Sequence, residues 1–348
     1  MRPRPERTHT SGRGLLASIV ALGCLLSSAP SLAETSFVVL GDMPYGRDQI
    51  HSLRFIGSKL QDPKFPFIIH YGDVKAGGKV GEMTSEQAWC SDSVLAERKD
   101  VIYGLKPGAV FYTPGDNDWT DCDRPEAGGF DETQRLTKLR EIFFAEPDLP
   151  SNDAWAIARQ GPDYPENARW QHDGIQFVTL HVVGTDNGRR EIMNSDVDKA
   201  LAAVARRDQA NLEWLKAAFD EANRTDAQAW IVVLHGDPFD ITDRTHRSRA
   251  CDAAEPVDCN PYLALLQRLT SLADAFDRPV LLVHGSTNQF CIDRGFGGWR
   301  APKLWRLNGP GDFVTVDAAI VQVDPAASLP FGVHGLLSGD TVPSCHRR

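Results

Sequence analysis

Five segments of the sequence place metal-ligating residue types directly after short apolar runs. Each segment holds a glycine next to an aspartate or a histidine, and the five are Gly41–Tyr45, Gly72–Lys75, Pro114–Trp119, His235–Pro238 and His284–Asn288. Carboxylate, carboxamide and imidazole ligands together suit borderline divalent transition metals. A glycine beside each ligand allows the backbone to approach an ion or a phosphate closely. The pattern therefore predicts a site for one or two divalent ions, with Mn, Fe and Zn as the candidates.

These segments need strands that end at a common sheet edge. The apolar runs predict buried strands at Ser36–Leu40, Pro66–His70, Ala109–Tyr112, Ile175–Val183, Ala229–Leu234 and Pro279–Val283. Helical patterns lie between them at Asp48–Leu60, Thr84–Lys99, Asp131–Phe144, Asp196–Ala222 and Pro261–Phe276. A terminal antiparallel meander is expected from Asp312–Val316, Ala319–Val323 and Leu329–Leu337. The alternation predicts α/β layers with the loops gathered at one sheet edge.

Composition excludes several classes of protein. The chain has 348 residues, of which 42% are apolar, which is enough for a sizeable core and too apolar for intrinsic disorder. Lys and Arg number 37 against 47 Asp and Glu, a net charge of −10. A specific nucleic-acid binder is not expected, because nothing in this balance matches the basic surface that a phosphate backbone requires.

The amino terminus has the pattern of a secretory signal. Residues 1–33 carry four arginines, an apolar run from Leu15 to Leu26 that is too short to span a membrane, and small residues before Ala33. Its removal leaves one domain over residues 34–348, with six cysteines and no transmembrane segment. An even count in an exported chain predicts up to three disulfides and a periplasmic or secreted location. Cys251 and Cys259 bracket a turn-rich stretch and form the favoured local pair.

The order of the five segments resembles that of the calcineurin-like metallophosphoesterases, whose blocks read D-x-H, G-D-x-x-D, G-N-H-D/E, H and G-H-x-H. The resemblance runs from Gly41 to Phe290, and the stretches GDMPYG, TPGDNDWTDC, YPENARW, HGDPFD and HGSTNQF look like an exported bacterial branch of that superfamily. It implies a four-layer αββα sandwich of two mixed sheets flanked by helices. It also implies two metals at the sheet edge and hydrolysis of phosphate mono- or diesters by metal-activated water.

The resemblance also implies a ligand set when it is transferred motif by motif. Asp42 would be the carboxylate of the first metal, and Asp73 would bridge both metals. The second metal would take Asp73, one residue of the third segment, and the two strand-end imidazoles. The implied ligands are Asp42, Asp73, Asp116 or Asn117, His235 and His284.

The third segment allows two alignments. In the first, Asp116 is the ligand and Asn117 takes the position of the histidine that stabilises the transition state. In the second, Asn117 is the ligand and Asp118 takes that position. The residues implied to stabilise charge on phosphorus are accordingly Asn117 or Asp118, together with His235.

The first-metal half departs from the family pattern. Pro44 stands where D-x-H has its histidine, Ala76 replaces the second aspartate of G-D-x-x-D, and Asn288 replaces the last histidine of G-H-x-H. If His284 fills the second-metal role, its block is shifted by two positions. The ungapped match instead places Ser286 and Asn288 on the two histidine positions and leaves His284 outside.

Four further residues are candidates for contact with substrate. Tyr45 could supply a phenolate ligand, and the ammonium of Lys75, two residues after Asp73, could fill the space of the missing cation. Arg169 could clamp a phosphate edge, because guanidinium matches that edge bidentately, and Asn167 could hold a substrate oxygen.

Two functions from different classes follow. The leading hypothesis is an exported, metal-dependent hydrolase of a small phosphorylated substrate. The alternative is a catalytically silent protein of the same fold that serves as a secreted binding or envelope protein, and the losses at Pro44 and Asn288 favour it. The filled second-metal set favours retained metal binding. The sequence carries no indication of the oligomeric state.

Overall fold

The computed structural model describes residues 1, 3, 4, 35–78, 85–145, 149–239, 248–287 and 289–345. The predicted signal peptide lies almost entirely outside these residues, and so does Asn288. From Thr35 onward the described residues form one compact unit. No described helix is both long and apolar enough to cross a membrane.

The first sheet has five strands in the order β12-β11-β1-β2-β3. Strands β1, β2 and β3 are parallel to one another. Strand β11 pairs antiparallel with β1, and β12 pairs antiparallel with β11. This confirms the terminal meander, although Asp312–Val316 is a loop and not a strand. The strands are β1 (Thr35–Leu40), β2 (Ile68–His70), β3 (Val110–Tyr112), β11 (Ala319–Val323) and β12 (Phe331–Gly335).

The second sheet has seven strands in the order β4-β5-β6-β7-β8-β10-β9. Strands β6, β7, β8 and β10 are parallel, and the outer strands pair antiparallel. The strands are β4 (Ala158–Arg159), β5 (Ala168–His172), β6 (Ile175–Thr179), β7 (Ala229–Val233), β8 (Val280–His284), β9 (Cys291–Arg294) and β10 (Leu304–Asn308). The predicted strands correspond to β1, β2, β3, β6, β7 and β8, whereas β4, β5, β9 and β10 were not predicted.

Helices cover the outer face of each sheet. The predicted helix Thr84–Lys99 is in fact two helices, because the chain leaves helical geometry between Ala88 and Asp92. The side chain of Ser91 starts the second of them by accepting the N–H of Val94. The helices are α1 (Arg47–Lys59), α2 (Ser85–Ala88), α3 (Asp92–Tyr103), α4 (Glu132–Phe143), the short turn α5 (Gly184–Gly188), α6 (Val197–Arg224) and α7 (Leu263–Phe276).

Successive side chains along each strand point to opposite faces of the sheet, which produces separate apolar layers. In β1, Phe37 and Val39 point into the core between the two sheets, while Val38 and Leu40 pack under the helices on the other side. The parallel strands are apolar on both faces because both faces are covered. A third cluster joins the outer face of the second sheet to α6 and α7. The predicted fold of two mixed sheets flanked by helices is confirmed.

Three disulfides lie within the described residues: Cys90–Cys122, Cys251–Cys259 and Cys291–Cys345. They confirm the predicted number and the local pair. Disulfides at this density are typical of proteins that fold in an oxidising compartment, which agrees with an exported chain.

Candidate metal centre

A cavity of about 570 Å³ opens where strands of both sheets end. Its walls come from the loops after β1, β2 and β3 in the first sheet and after β6, β7, β8 and β10 in the second. This is the edge at which the sequence placed the ligand-bearing segments. The charged side chains that line it are Asp42, Asp73, Asp116, Asp121, Asp186, Asp237, Asp312, Arg124 and Arg190.

Asp42, Asp73 and His235 form a buried group at the floor of this cavity. One ligand atom from each lies within 4.8 Å of the other two. Asp42 follows β1, Asp73 follows β2 and His235 follows β7, so two parallel strands of one sheet and one of the other bring the group together. Two carboxylates and an imidazole are ligands that divalent transition metals accept. These three residues could therefore hold a metal ion.

The backbone at this group is strained. Asp42 has φ 52°, Asp73 has φ 57° and Ser286 has φ 66°, and each of them follows a glycine. Non-glycine residues avoid this left-handed region, although aspartate tolerates it better than most. Strain of this kind persists only where surrounding structure enforces it, and it concentrates at functional sites. At this site the left-handed backbone conformations direct the carboxylates of Asp42 and Asp73 into the same small volume.

Hydrogen bonds fix the orientation of His235. Its Nδ1 lies 2.9 Å from the carbonyl oxygen of Tyr71, and its Nε2 lies 3.0 Å from Oδ1 of Asp116 and 3.5 Å from Oδ1 of Asp73. Because only a protonated Nδ1 can donate to the carbonyl, Nε2 is the atom directed at the carboxylates. A main-chain partner of this type sets the ring angle of metal-binding histidines.

Burial and mutual repulsion shift the pKa values of the group. Burial raises the pKa of Asp42 to about 7 and raises that of Asp73 well above its ordinary value. Burial acts to lower the pKa of His235, but the charge of Asp73 and the hydrogen bond to Asp116 outweigh it, so that pKa is raised. Near neutral pH the metal-free group therefore holds protons that a divalent cation would displace.

Asp116 is paired with His235. Burial acts to raise the pKa of Asp116, but its hydrogen bond with His235 and the histidine's charge outweigh burial and leave that pKa lowered. Thr185 adds a hydroxyl donor at 2.8 Å to Oδ2. Asp116 lines the cavity and borders the Asp42–Asp73–His235 group through its contact with His235.

Its two neighbours differ in placement. Asn117 lines the cavity, and its main-chain N–H donates to Asp73 at 3.0 Å. Asp118 is fully buried and does not line the cavity. Its carboxylate accepts main-chain N–H bonds of 2.8–2.9 Å from Asp73, Val74 and Gly115 and the hydroxyl of Tyr112 at 2.7 Å. The catalytic assignment of Asp118 is corrected to a structural one, because its oxygens hold the loops together.

Behind this loop lies the Cys90–Cys122 disulfide. Both sulfur atoms are 3.8 Å from the carbonyl oxygen of Asn117. Cys122 belongs to a short 3-10 turn, Thr120–Asp123, which begins where the Asp116 carbonyl accepts the N–H of Asp121. The disulfide thus fixes the loop from the side opposite the cavity.

His284 does not join the group, which corrects its assignment as a metal ligand. The preceding residue, Val283, packs into the core between the sheets, so the next side chain along β8 faces the helix side. His235 has the opposite phase, because Val233 faces the core between the sheets and Leu234 faces the helices. Nδ1 of His284 lies 3.2 Å from the carbonyl of Gly285. Among the described residues of this segment, Ser286 and Thr287 reach the cavity, and the N–H of Ser286 donates to Asp42 at 3.1 Å.

The side chain of Tyr45 contacts the Asp42–Asp73–His235 group through its hydroxyl. Its hydroxyl lies 3.3 Å from Oδ2 of Asp73 and 3.5 Å from Oδ1 of Asp42, and its ring packs 4.6 Å from that of Phe313 at the cavity wall. Burial, together with the nearby carboxylates, raises the pKa of Tyr45 well above its ordinary value. Its hydroxyl therefore acts as a donor in the metal-free site. Tyr45 thus lies beside the Asp42–Asp73–His235 group and lines the cavity.

Lys75 is fully buried and does not line the cavity, so it has no direct contact with a substrate there. Its Nζ donates to the carbonyl of Ala76 at 2.9 Å. Burial lowers the pKa of Lys75 to about 8, against the attraction of Asp118, Asp121 and Asp73. The ammonium therefore lies among the carboxylates behind the site.

Asn167 and Arg169 lie away from the cavity, which corrects their assignment to substrate. The amide of Asn167 is fully buried, where it accepts the N–H of His181 at 2.7 Å and donates to Asn211 at 2.8 Å. The guanidinium of Arg169 stacks 4.5 Å from the ring of Trp214 on α6. Asn167 therefore connects β5 to α6 through its amide, and Arg169 does so through ring stacking.

Several lining residues were not predicted. Asp121 and Asp237 lie inside quoted stretches, TPGDNDWTDC and HGDPFD, so spacing from Asp116 and His235 could have pointed to them. Asp312 and Phe313 follow the unpredicted strand β10, and nothing local in the sequence connects them to the site. The remaining lining side chains are Arg124, Thr185, Asp186, Arg190, Tyr262, Ser286 and Thr287.

Gly285 is expected to be essential for metal affinity. A Cβ at this position would collide with Oδ2 of Asp42 and with the ring of Tyr71. We expect Gly285→Ala to displace the Asp42 carboxylate and weaken Mn²⁺ or Zn²⁺ binding by about tenfold, or ~1.4 kcal/mol, as measured by titration calorimetry. Gly332→Ala is the matched control, since its Cβ would make only ordinary contacts. Unchanged affinity in Gly285→Ala would remove Asp42 from the ligand set.

Comparisons with known proteins assign no family. No family model matches the chain, and no curated protein matches it. Among solved structures, the chain is similar to GAP50, the anchor in the inner membrane complex of Plasmodium, at 11% identity and a TM-score of 0.42 over 90% of each chain. This likeness is too weak to carry a family or a function.

Proposed function

We propose that the protein is an exported, periplasmic or secreted, metal-dependent hydrolase of phosphate mono- or diesters that uses activated water. The observation that carries the proposal is the buried Asp42–Asp73–His235 group at the floor of a 570 Å³ cavity. That volume lies in the range of small-molecule sites. The order of the ligand-bearing segments, which resembles that of metallophosphoesterases, supports the choice of reaction.

The charge of the cavity supports a requirement for metal. Seven aspartates and two arginines line it among the described residues. Arg124 is already engaged by Asp121 at 2.6 Å and Glu191 at 2.7 Å. A phosphate entering this space without added cations would meet strong repulsion, because Coulomb forces are weakly screened in partly buried sites. Bound Mn, Fe or Zn would reverse the local charge.

The chain's own residues then have separable roles. When bound, the metal supplies Lewis acidity and lowers the pKa of water. Asp42, Asp73 and His235 would hold the cation, and the main-chain carbonyl of Tyr71 orients the imidazole of His235. In the metal-free protein, Asp116 accepts from Nε2 of His235 and balances its charge when the imidazole is protonated. The amide of Asn117, which lines the cavity, would donate to a phosphate oxygen.

Lys75 remains a candidate for the role of a second cation. Its buried ammonium interacts with Asp73, Asp118 and Asp121, so it offsets part of the acidic charge from behind the cavity. In this role it would reduce the number of metals needed without contacting substrate.

A silent binding protein is the second candidate, and the scarcity of imidazoles favours it. Among the described residues at the metal group, His235 is the one imidazole. Pro44 and Asn288 stand where the family resemblance implies histidines, and in the ungapped match Ser286 does so as well. A site with fewer nitrogen ligands can retain a cation and yet hold it too weakly, or in the wrong geometry, for turnover.

The test is hydrolysis of p-nitrophenyl phosphate and bis-p-nitrophenyl phosphate by purified mature protein. Mn²⁺, Zn²⁺ or Fe²⁺ is supplied after chelation, and metal content is measured in parallel. We expect turnover with at least one metal and its loss with chelator. Bound metal without turnover on either ester supports the binding role, and the absence of bound metal contradicts both metal assignments.

A further inference from the structure

A second cavity, of about 280 Å³, lies on the helix side of the second sheet. It is bounded by α6, by the start of α7, by the loop at Cys251 and by the residues just after the turn α5. Much of its wall is apolar: Val182, Ala205, Leu212, Pro261, Ala264 and Leu265. Its volume is close to the lower limit for small-molecule sites, so it suits a ligand with a single ring or a short chain.

Arg189 is the polar group that this cavity leaves unsatisfied. It is 7% exposed, and one of its terminal nitrogens, Nη2, donates to Oδ2 of Asp208. Its Nε and Nη1 are buried and have no hydrogen-bond partner among the described residues. A buried donor without an acceptor is destabilising, and more so when it is charged. An acceptor supplied by a ligand would remove that cost.

The surrounding charges favour an anionic acceptor. Asp208 is shared, because its Oδ1 also accepts from the amide of Asn187 at 2.7 Å. A second buried guanidinium, Arg207, donates to the carbonyl of Asn187 at 2.6 Å. Burial, reinforced by the charge of Arg189, acts to lower the pKa of Arg207, which falls to about 10 despite Asp208. Two buried guanidinium groups thus lie near one partly exposed carboxylate, Asp208, while the other carboxylate of the wall, Asp252, is exposed to solvent.

We propose that this second cavity binds a small monocarboxylate with an apolar body, its carboxylate accepting from Arg189 and its body lying against the apolar wall. Charge-assisted hydrogen bonds of this kind are roughly twice as strong as neutral ones. The site is separate from the metal centre, since the two cavities share no lining residue.

The test uses benzoate and hexanoate as probes on the mature protein, with binding followed by ligand-observed NMR and calorimetry. We expect both to bind, and benzamide, the neutral analogue of benzoate, to bind at least tenfold more weakly. Arg189→Gln is expected to weaken benzoate at least tenfold. Ala264→Phe keeps Arg189 and fills the cavity, so it is expected to abolish binding.

Ala202→Phe, at an exposed position on α6, is the matched control and is expected to bind benzoate like the unmodified protein. The proposal is overturned if neither carboxylate binds to the unmodified protein. It is also overturned if Ala264→Phe retains full affinity, or if benzamide binds as tightly as benzoate. Since the readout is binding, none of these outcomes depends on phosphoester hydrolysis.

Discussion

Replacing Asp73 by asparagine is expected to abolish metal binding and hydrolysis while raising the melting temperature of the metal-free protein. Both effects arise from the same carboxylate, because its charge attracts the metal but destabilises the metal-free protein. Asp73 lies between Tyr45, Asn117 and His235, at the centre of the metal group. Asparagine keeps its shape but removes the charge that attracts a cation.

The gain in stability follows from the direction of the pKa shift. Burial, together with Asp116, Asp118 and Asp42, raises the pKa of Asp73 above the ordinary value of 3.8. A raised carboxyl pKa leaves stability unaffected below pH 3.8 and lowers it progressively as pH rises from there to the folded-state pKa. Asp42, with a pKa raised to about 7, adds a loss over the window from 3.8 to about 7. Asparagine at position 73 removes one of these two penalties.

Differential scanning calorimetry in chelator should therefore show a higher melting temperature for Asp73→Asn at pH 7, by about 1.5 °C per kcal/mol for a chain of this size. The difference should vanish near pH 3.5. Asp100→Asn, at a side chain that is 80% exposed, is the control and should melt like the unmodified protein. Stoichiometric metal together with full activity in Asp73→Asn would refute the assignment.

Replacing His235 by glutamine is expected to lower metal affinity by at least about 100-fold, with turnover lost in proportion. Losing an outer partner of a metal-binding histidine already costs about 10–100-fold. Removing the imidazole itself also leaves Asp116 without its partner. The pKa of Asp116 is lowered mainly by this histidine, against the effect of burial. The pKa of Asp116 should therefore be higher in the variant than in the unmodified protein.

Metal content by mass spectrometry and p-nitrophenyl phosphate turnover measure the effect. His172→Gln provides the control, because this partly exposed histidine pairs with Asp173 outside the cavity. In the unmodified protein, metal affinity should rise with pH through neutrality, because the cation displaces protons from His235 and the carboxylates. A pH-independent affinity, or normal metal content in His235→Gln, would contradict the role given to this histidine.

The local sequence was sufficient to predict that Asp42, Asp73 and His235 lie in loops at the ends of strands. Each stands beside a glycine at the end of a continuous apolar run, so strand identity and loop position could both be inferred. The same reasoning was wrong for His284, since β8 extends one residue beyond the predicted Pro279–Val283 and includes the histidine itself. A shift of one residue changes the face on which a side chain lies. Strand-end ligands are therefore predictable only as well as the strand end is.

Other parts of the site depend on long-range pairing. Asp312 reaches the cavity because β10 pairs with β8 in parallel, and that partnership joins residues 280–284 to residues 304–308. The short strand β10 contains Trp305 and Arg306 and lacks the plain apolar run that marks the other parallel strands. Arg169 and Asn167 were misplaced for a related reason. Their motif was visible, but the antiparallel edge strand β5 and its packing on α6 were not.

The Cys90–Cys122 disulfide makes the metal centre dependent on where the chain is when it folds. The bond joins residues 32 apart, and the enclosed ring of chain contains Asp116 and Asn117. Closing a loop of that length reduces the freedom of the unfolded chain by about 3–4 kcal/mol. In a reducing compartment the same loop would have two thiols behind it and no covalent closure. The loop that carries Asp116 therefore acquires its covalent closure only once the chain meets an oxidant.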